Sequence, residues 1–297
     1  MAMGIKSWDY KSAILALKSV SRRKGKRMKR ILQVFIICLS VWPMAIWAQT
    51  VVLIHGFQSQ GMDWRVTGVT AALQSSGWVD AGHLRWQPQA MQHSRRLNYR
   101  PPNALFTVDL PSSQSVVKQA QVLEHYLRWI YAQRGEALTL VGHSAGGVVA
   151  RYWLVQASRR LPVDTFITIA SPNLGTPLAN LTQAFEDTAL MEMAQQMGFG
   201  QFIASRALYT ELREEQAGNF MHWLNHQAHP AVRYVALVRV AQQPEQVDFV
   251  VPYFSQNLNN VAALREQAEI WHTPAGHLLE AGDGHLIARI LAGERPR

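Results

Sequence analysis

Gly142-His143-Ser144-Ala145-Gly146 fits G-x-S-x-G, the pattern of a turn that exposes a nucleophilic hydroxyl. A serine hydroxyl alone is a weak nucleophile. It needs a base to take its proton, an acid to orient that base, and donors for the charge that develops on the attacked carbonyl oxygen. The chemistry at issue is therefore acyl transfer through a covalent acyl-serine. The setting gives the short pattern its weight. The apolar run from Leu138 to Val141 leads straight into it, and a helical pattern, "GGVVARYWLVQASRR", opens behind it at Gly147. A sharp strand-to-helix elbow strains the serine backbone and projects its hydroxyl clear of the sheet. Side chains two before and two after would collide, which is why Gly142 and Gly146 stand there. A Gly-rich turn made only for close helix packing, with Ser144 as a cap, is the plainer alternative, and the strand–turn–helix setting counts against it.

Charge stabilisation has candidates too. The stretch "VVLIHGFQSQG" ends a strand pattern in a His-Gly turn, which can bring the N–H of Phe57 towards a bound carbonyl. The N–H of Ala145, directly after the serine, is the second expected donor. His55 reads as a loop brace. His143 adjoins Ser144, so its side chain diverges and its role reads as structural.

These residues require a scaffold. Strand patterns fall at Val51–His55, Leu105–Asp109, Leu138–Gly142, Phe166–Ala170, Val232–Val240 and Glu269–Thr273. Several are unbroken Val/Ile/Leu runs, as in strands buried on both faces. Between them lie amphipathic helices such as "SVVKQAQVLEHYLRWIYAQRG", ended by Gly135. Alternating strands and helices predict a mainly parallel sheet of about six strands with helices on both faces. From about 176 to 230 no strand pattern occurs. That segment is helical and rich in Met and aromatic residues, which predicts a helical lid insertion able to touch lipid.

The quoted stretches resemble the α/β-hydrolase superfamily, and within it bacterial lipases and esterases and inositol-deacylase-like proteins. "VVLIHGF", "LTLVGHSAGGVVARYWL", "ITIASPNLGTPLA" and "VDFVVPYFSQNL" occur in family order from about residue 50 to 290. The chain differs from better-known secreted lipases in lacking a disulfide pair, and from larger members in lacking two leading strands. The resemblance implies an α/β-hydrolase fold and the order serine, acid, histidine. It places the acid after the strand "VRYVALVRV", where Asp248 has a D-x-x-V-P setting. Glu245, beside Pro244, reads as a solvated charge, and Asp109 as a turn cap before Pro111. The end of the preceding strand, "ASPNLGT", holds no acid. For the base, "AEIWHTPAGHLLEAGDGHLIARIL" offers His272, His277 and His285. His272 falls inside the last strand pattern and reads as packed. His277 takes the loop position the resemblance implies, and His285 opens the expected final helix. The expected catalytic set is Ser144, Asp248 and His277, with Phe57 and Ala145 as the oxyanion hole.

The net charge of +9 over 297 residues does not point to nucleic acid. Residues 1 to 30 hold ten Lys or Arg against one acid, and the rest of the chain carries nineteen of each sign. The basic stretch runs into an apolar segment from Ile31 to Trp42 and a small residue at Ala48, the pattern of a secretory signal peptide. The expected organisation is an N-terminal extension and signal over 1–48 and a hydrolase domain over 49–297. Export to the periplasm or medium follows, with an anchor formed by residues 31–48 as the alternative. Met28 would serve as a start. The only cysteine, Cys38, lies in the apolar segment, so no thiol chemistry or disulfide is expected in the domain.

His222 and His226 are four apart in a helical stretch with His229 near, a spacing that could bind zinc. With no acid or cysteine ligand close in sequence, a partly exposed helix face is the better reading, and no metal or cofactor is expected. Carboxylic-ester hydrolysis on a lipid or other acyl ester is the expected function. Acyl transfer or amide cleavage would use the same residues, and a silent lipid-binding member is a third reading. Epoxide and haloalkane hydrolases of this fold use an acid nucleophile, so a serine at the elbow argues against both.

Overall fold

The computed structural model describes residues 48–296, apart from 88, 89, 96, 158–160 and 181–204. The expected signal or anchor, up to residue 47, and the middle of the insertion lie outside the described residues. Residues 48–297 form one compact unit. No helix among the described residues is long and apolar enough to cross a membrane.

The strands in chain order are β1 (Gln49–Ile54), β2 (Val79–Gln87), β3 (Ala90–His93), β4 (Asn103–Val108), β5 (Leu138–His143), β6 (Val163–Ile169), β7 (Arg233–Arg239) and β8 (Ala268–Thr273). The helices are α1 (Asp63–Val66), α2 (Val69–Ser75), α3 (Val116–Arg134), α4 (Ala145–Ala157), α5 (Pro177–Asn180), α6 (Arg206–Glu211), α7 (Phe220–Asn225), α8 (Tyr253–Gln256) and α9 (Ala281–Leu291). One sheet has the order β3-β2-β4-β1-β5-β6-β7-β8, and every pairing is parallel except that of β2 with β3. This is the α/β-hydrolase architecture.

The apolar runs are explained by burial on both faces. In β1, Val52 and Ile54 join a core beneath α3 and α4, while Val51 and Leu53 join a second core beneath α1, α2 and α9. All four are fully buried. Each contributes about 1.5–3 kcal/mol relative to exposure, so neither face of this strand tolerates a charge.

All six expected strands are present, with two more, β2 and β3. The sequence of β2, "VDAGHLRWQ", mixes Asp, His and Arg into the strand and hides the pattern. Its polar groups find partners: Arg65 forms a fork on Asp80 at 2.6 and 2.9 Å, and His83 Nδ1 meets Thr107 Oγ1 at 2.9 Å. A bulge between Asp80 and Gly82, with Gly82 at φ 119°, shifts the register against β4. The helix α3 starts at Ser115, whose hydroxyl accepts the Lys118 N–H, and ends at Gly135 in the left-handed region (φ 73°). The end of the insertion folds as α6 and α7, and its neighbouring residues return to the loop after β6: Thr176 N donates to Leu212 O and Glu215 N to Leu174 O.

That return explains one glycine of "SPNLGTPLA". Gly175 has φ 85°, and a Cβ there would sit 2.2 Å from Arg213 O. Gly175→Ala combines left-handed strain of about 1–2 kcal/mol with overpacking against backbone of about 1–3 kcal/mol. Thermal unfolding should shift down by roughly 2–4 °C per kcal/mol lost in a domain of this size. An unchanged melting temperature would refute the close approach.

Candidate active site

The elbow lies where β5 ends and α4 begins. Ser144 has φ 50°, a conformation costly for a residue with a Cβ. It is held by its N–H on Ile169 O (2.9 Å) and by its carbonyl, which accepts the Gly147 N–H (3.0 Å). The glycines around it are demanded by contact. A Cβ on Gly142 would stand 2.5 Å from Gly147 Cα, one on Gly146 2.2 Å from His55 O, and one on Gly56 2.9 Å from Ser144 Cβ. The helix start is thus pressed against the His55-Gly56 turn. Among the described residues, neither the Phe57 N–H nor the Ala145 N–H has a hydrogen-bond partner. Both remain available to a ligand beside Ser144.

The structure brings Ser144, Asp248 and His277 together. His277 Nε2 lies 3.0 Å from Ser144 Oγ, and His277 Nδ1 lies 2.9 Å from Asp248 Oδ2. The carboxylate accepts only at Oδ2 from the imidazole, so Nδ1 carries the proton and Nε2 offers its lone pair to the serine hydroxyl. Asp248 is nearly buried and well supplied with donors. Its Oδ1 accepts the N–H groups of Val250 (2.9 Å) and Val251 (2.8 Å), and its Oδ2 also accepts Gln256 Nε2 (3.0 Å).

The other candidates are elsewhere. His285 lies on the exposed side of α9. His272, expected to be packed, is exposed on the edge strand β8, where it stacks on Tyr253 with ring centroids 6.1 Å apart. Glu245 is in the 3-10 turn Pro244–Gln246, ahead of the acid. Asp109 accepts the Gly61 N–H (2.8 Å) and Arg85 Nε (2.9 Å) and lies 3.1 Å from His83 Nε2. Burial works to raise its pKa, but these donors outweigh it and hold the carboxyl well below the usual range. His55 braces two strand-end loops: Nδ1–H donates to Gly56 O (2.9 Å) and Nε2 accepts the Leu110 N–H (2.8 Å). Burial lowers its pKa, so it stays neutral.

His143 does more than diverge. Its Nε2–H donates to His277 O (2.8 Å), which fixes the backbone of the histidine loop. Burial, and then the nearby His277, push its pKa down to about 3.

Sequence reasoning missed two positioning residues, Arg239 and Gln256. The N–H of Arg239 holds Gln256 Oε1 (2.8 Å), the side chain that supports Asp248. Its guanidinium forms a buried fork on Asp283 (2.6 and 2.9 Å) and donates to Leu278 O (3.1 Å), directly after His277. A signal was present, since an arginine ending the apolar run "YVALVR" needs a buried partner.

A family model described as the PGAP1-like alpha/beta domain matches residues 46–210, over half of the chain. The chain belongs to that family. The match covers the His55-Gly56 turn, the elbow and the first part of the insertion. No curated protein sequence is significantly similar to the chain. Solved structures agree on the fold. The mature form of the Bacillus licheniformis lipase BlEst2 aligns with a TM-score of 0.56 at 18% identity, over 84% of this chain and 94% of that one. Its propeptide form gives 0.58 at 17% identity, over 86% of this chain and 53% of that one. The lin2722 product of Listeria innocua gives 0.51 at 12% identity, over 81% of this chain and 88% of that one. At such identities the likeness is one of fold.

Two outcomes follow from the buried groups. His143 is neutral in the folded chain but takes a proton below about pH 6.5 when unfolded. Its contribution is complete above pH 6.5 and is lost as pH falls towards 3, at about 1.4 kcal/mol per unit. In denaturant titrations from pH 6.5 to 5, His143→Gln should lose about 2 kcal/mol less than the unmodified protein. Equal losses would contradict the neutral assignment. Asp283→Ala strands the Arg239 guanidinium and should cost about 3–5 kcal/mol, whereas Arg239→Met with Asp283→Leu should recover part of it. A loss below 1 kcal/mol for the single variant would remove the pair from its structural role.

Proposed function

We propose that the protein is a serine carboxylic-ester hydrolase acting on lipid or other acyl esters. The observation that carries this reading is the continuous path from Asp248 Oδ2 through His277 to Ser144 Oγ, at 2.9 and 3.0 Å, beside two unengaged N–H groups.

The geometry supports the following sequence. His277 Nε2 takes the Ser144 proton as Oγ attacks the ester carbonyl carbon. The carbonyl oxygen becomes an oxyanion held by the N–H groups of Phe57 and Ala145, each worth ~3 kcal/mol of barrier. Asp248 holds the imidazole in position and stabilises its charged form. The imidazolium then gives its proton to the leaving alkoxide as the C–O bond breaks, and an acyl-serine remains. Water attacks the acyl carbon, giving its proton to His277. The carboxylic acid leaves as Ser144 regains its proton.

An apolar acyl group is supported by the loops that carry the acid and base. Phe249, next to Asp248, is 83% exposed, and Leu278, next to His277, is 77% exposed. Val247, Tyr253 and Phe254 add to this apolar rim. BlEst2, which shares the fold, is a lipase, and this fits the same substrate class. We extend the proposal to export through the N-terminal basic and apolar segments, with residues 31–48 as anchor if cleavage does not occur.

The test is an ester panel of varied acyl length with fluorophosphonate labelling. Ser144→Ala should abolish labelling and lower kcat by about 10^6-fold. His277→Ala should lower it comparably, while His285→Ala should leave it unchanged. Persistent labelling of Ser144→Ala would remove the nucleophile. Products in which an added alcohol outcompetes water at every concentration would replace hydrolysis by acyl transfer.

A further inference from the structure

The paired histidines of the insertion meet an acid that sequence spacing does not reveal. Glu215, in the turn before α7, lies with Oε1 3.4 Å from His222 Nδ1 and 3.7 Å from His226 Nδ1. The candidate ligand atoms of the three residues all lie within 4.8 Å of one another. His229, the third histidine of the sequence pattern, is not part of this group: its Nδ1 donates to Gln227 O. We propose that Glu215, His222 and His226 form a zinc(II) site.

The two carboxylate–imidazole distances approach those of a coordination shell. Two ligand atoms about 2.0–2.1 Å from a tetrahedral zinc are separated by about 3.3 Å, so a metal would need only small side-chain movements to seat. The donor set, two imidazoles and one carboxylate, suits a borderline first-row dication and leaves a fourth position for water. The carboxylate is already aimed. Its Oε2 accepts Asn225 Nδ2 at 2.7 Å, which turns Oε1 towards the rings. The two imidazoles face each other with centroids 4.1 Å apart, the consequence of i, i+4 spacing on α7 and its cap. His226 Nδ1 also donates to His222 O at 2.8 Å. Ligation through Nδ1 would exchange that bond for the metal, and ligation through Nε2 would retain it as a supporting contact. Solvent reaches the group through a hollow of about 600 Å³ lined by Leu174, Glu214, Glu215, His222 and Phe254, among others.

Two charges bear on the site. Glu215 supplies one negative charge, and the buried Arg151 interacts electrostatically with it. The guanidinium opposes a dication, so affinity should rest on the three ligands together and fall sharply when any one is removed. Bound zinc would clamp α7 to the segment whose backbone pairs with Leu174 and Thr176. Those residues in turn contact Ser255 and Val250 of the acid-bearing loop.

The metal-free protein titrated with zinc(II) should bind one equivalent by calorimetry and by competition with a chromogenic chelator. Glu215→Gln, His222→Ala and His226→Ala should each weaken this binding at least tenfold. His229→Ala and Ser144→Ala should leave it unchanged. Zinc should raise the melting temperature of the unmodified protein and not that of His226→Ala. No stoichiometric binding, or an equivalent that survives all three ligand substitutions, would overturn the proposal. Because Ser144→Ala retains the expected binding, the result stands apart from that of the ester assays.

Discussion

Arg239 governs the site without touching a reacting atom. It ends β7, and its main chain and its side chain reach two different loops. Its main-chain N–H orients Gln256, which supports the acid, and its guanidinium binds Asp283 and the carbonyl after His277, which supports the base. A fully buried guanidinium is costly, and only a matched fork on a buried carboxylate offsets the loss of hydration. The fork on Asp283 meets that requirement with both oxygens. Acid and base come from loops after different strands, yet their separation is set by one residue. An error in that residue would move both.

The remaining alignment is enforced by close approach. Gly56, Gly142 and Gly146 let three backbones crowd around Ser144 at distances that no Cβ allows. The left-handed serine persists because β5, β6 and α4 over-determine it. Two further histidines are built into this packing, and burial keeps both uncharged. His55 couples its own turn with Gly56 to the loop after β4, and His143 couples the elbow to the His277 loop. Neutral imidazoles serve well here because each bonds backbone without placing a charge beside Ser144.

The sequence was legible wherever one physical cause dominated. Unbroken apolar runs marked the strands buried on both faces, and the spacing of glycines around Ser144 marked the elbow. Asp248 and His277 could be chosen over Glu245 and His285 because family order implies their loops. It was less legible where polar groups compensate one another across space. The strand β2 was hidden by Asp80 and His83, whose partners lie 15 and 24 residues away. Arg239 and Asp283 are 44 apart, so the arginine ending "YVALVR" signals the need for a partner without showing which acid meets it. His272 was misread as packed because its strand lies at the sheet edge, a fact of topology that composition does not carry. Glu215 escaped notice for a related reason: the turn before α7 brings it back over residues seven and eleven further on.

The acid loop and the insertion are mechanically one unit. Asn173 takes its N–H to Ser255 O and its side-chain amide to Gln256 O, while Ser255 Oγ donates to Gly175 O. Thr176 Oγ1 donates to Val250 O, and the Val250 N–H is one of the donors to Asp248. The loop that opens the insertion therefore holds the backbone that holds the acid. Asn173, Ser255 and Gln256 are buried, so each bond lost leaves a polar group without water to replace it. Any displacement of residues 173–176 is thus resisted at the carboxylate itself. In this arrangement the described part of the insertion is anchored to the backbone that holds Asp248, and the "SPNLGTPLA" stretch is the joint between them.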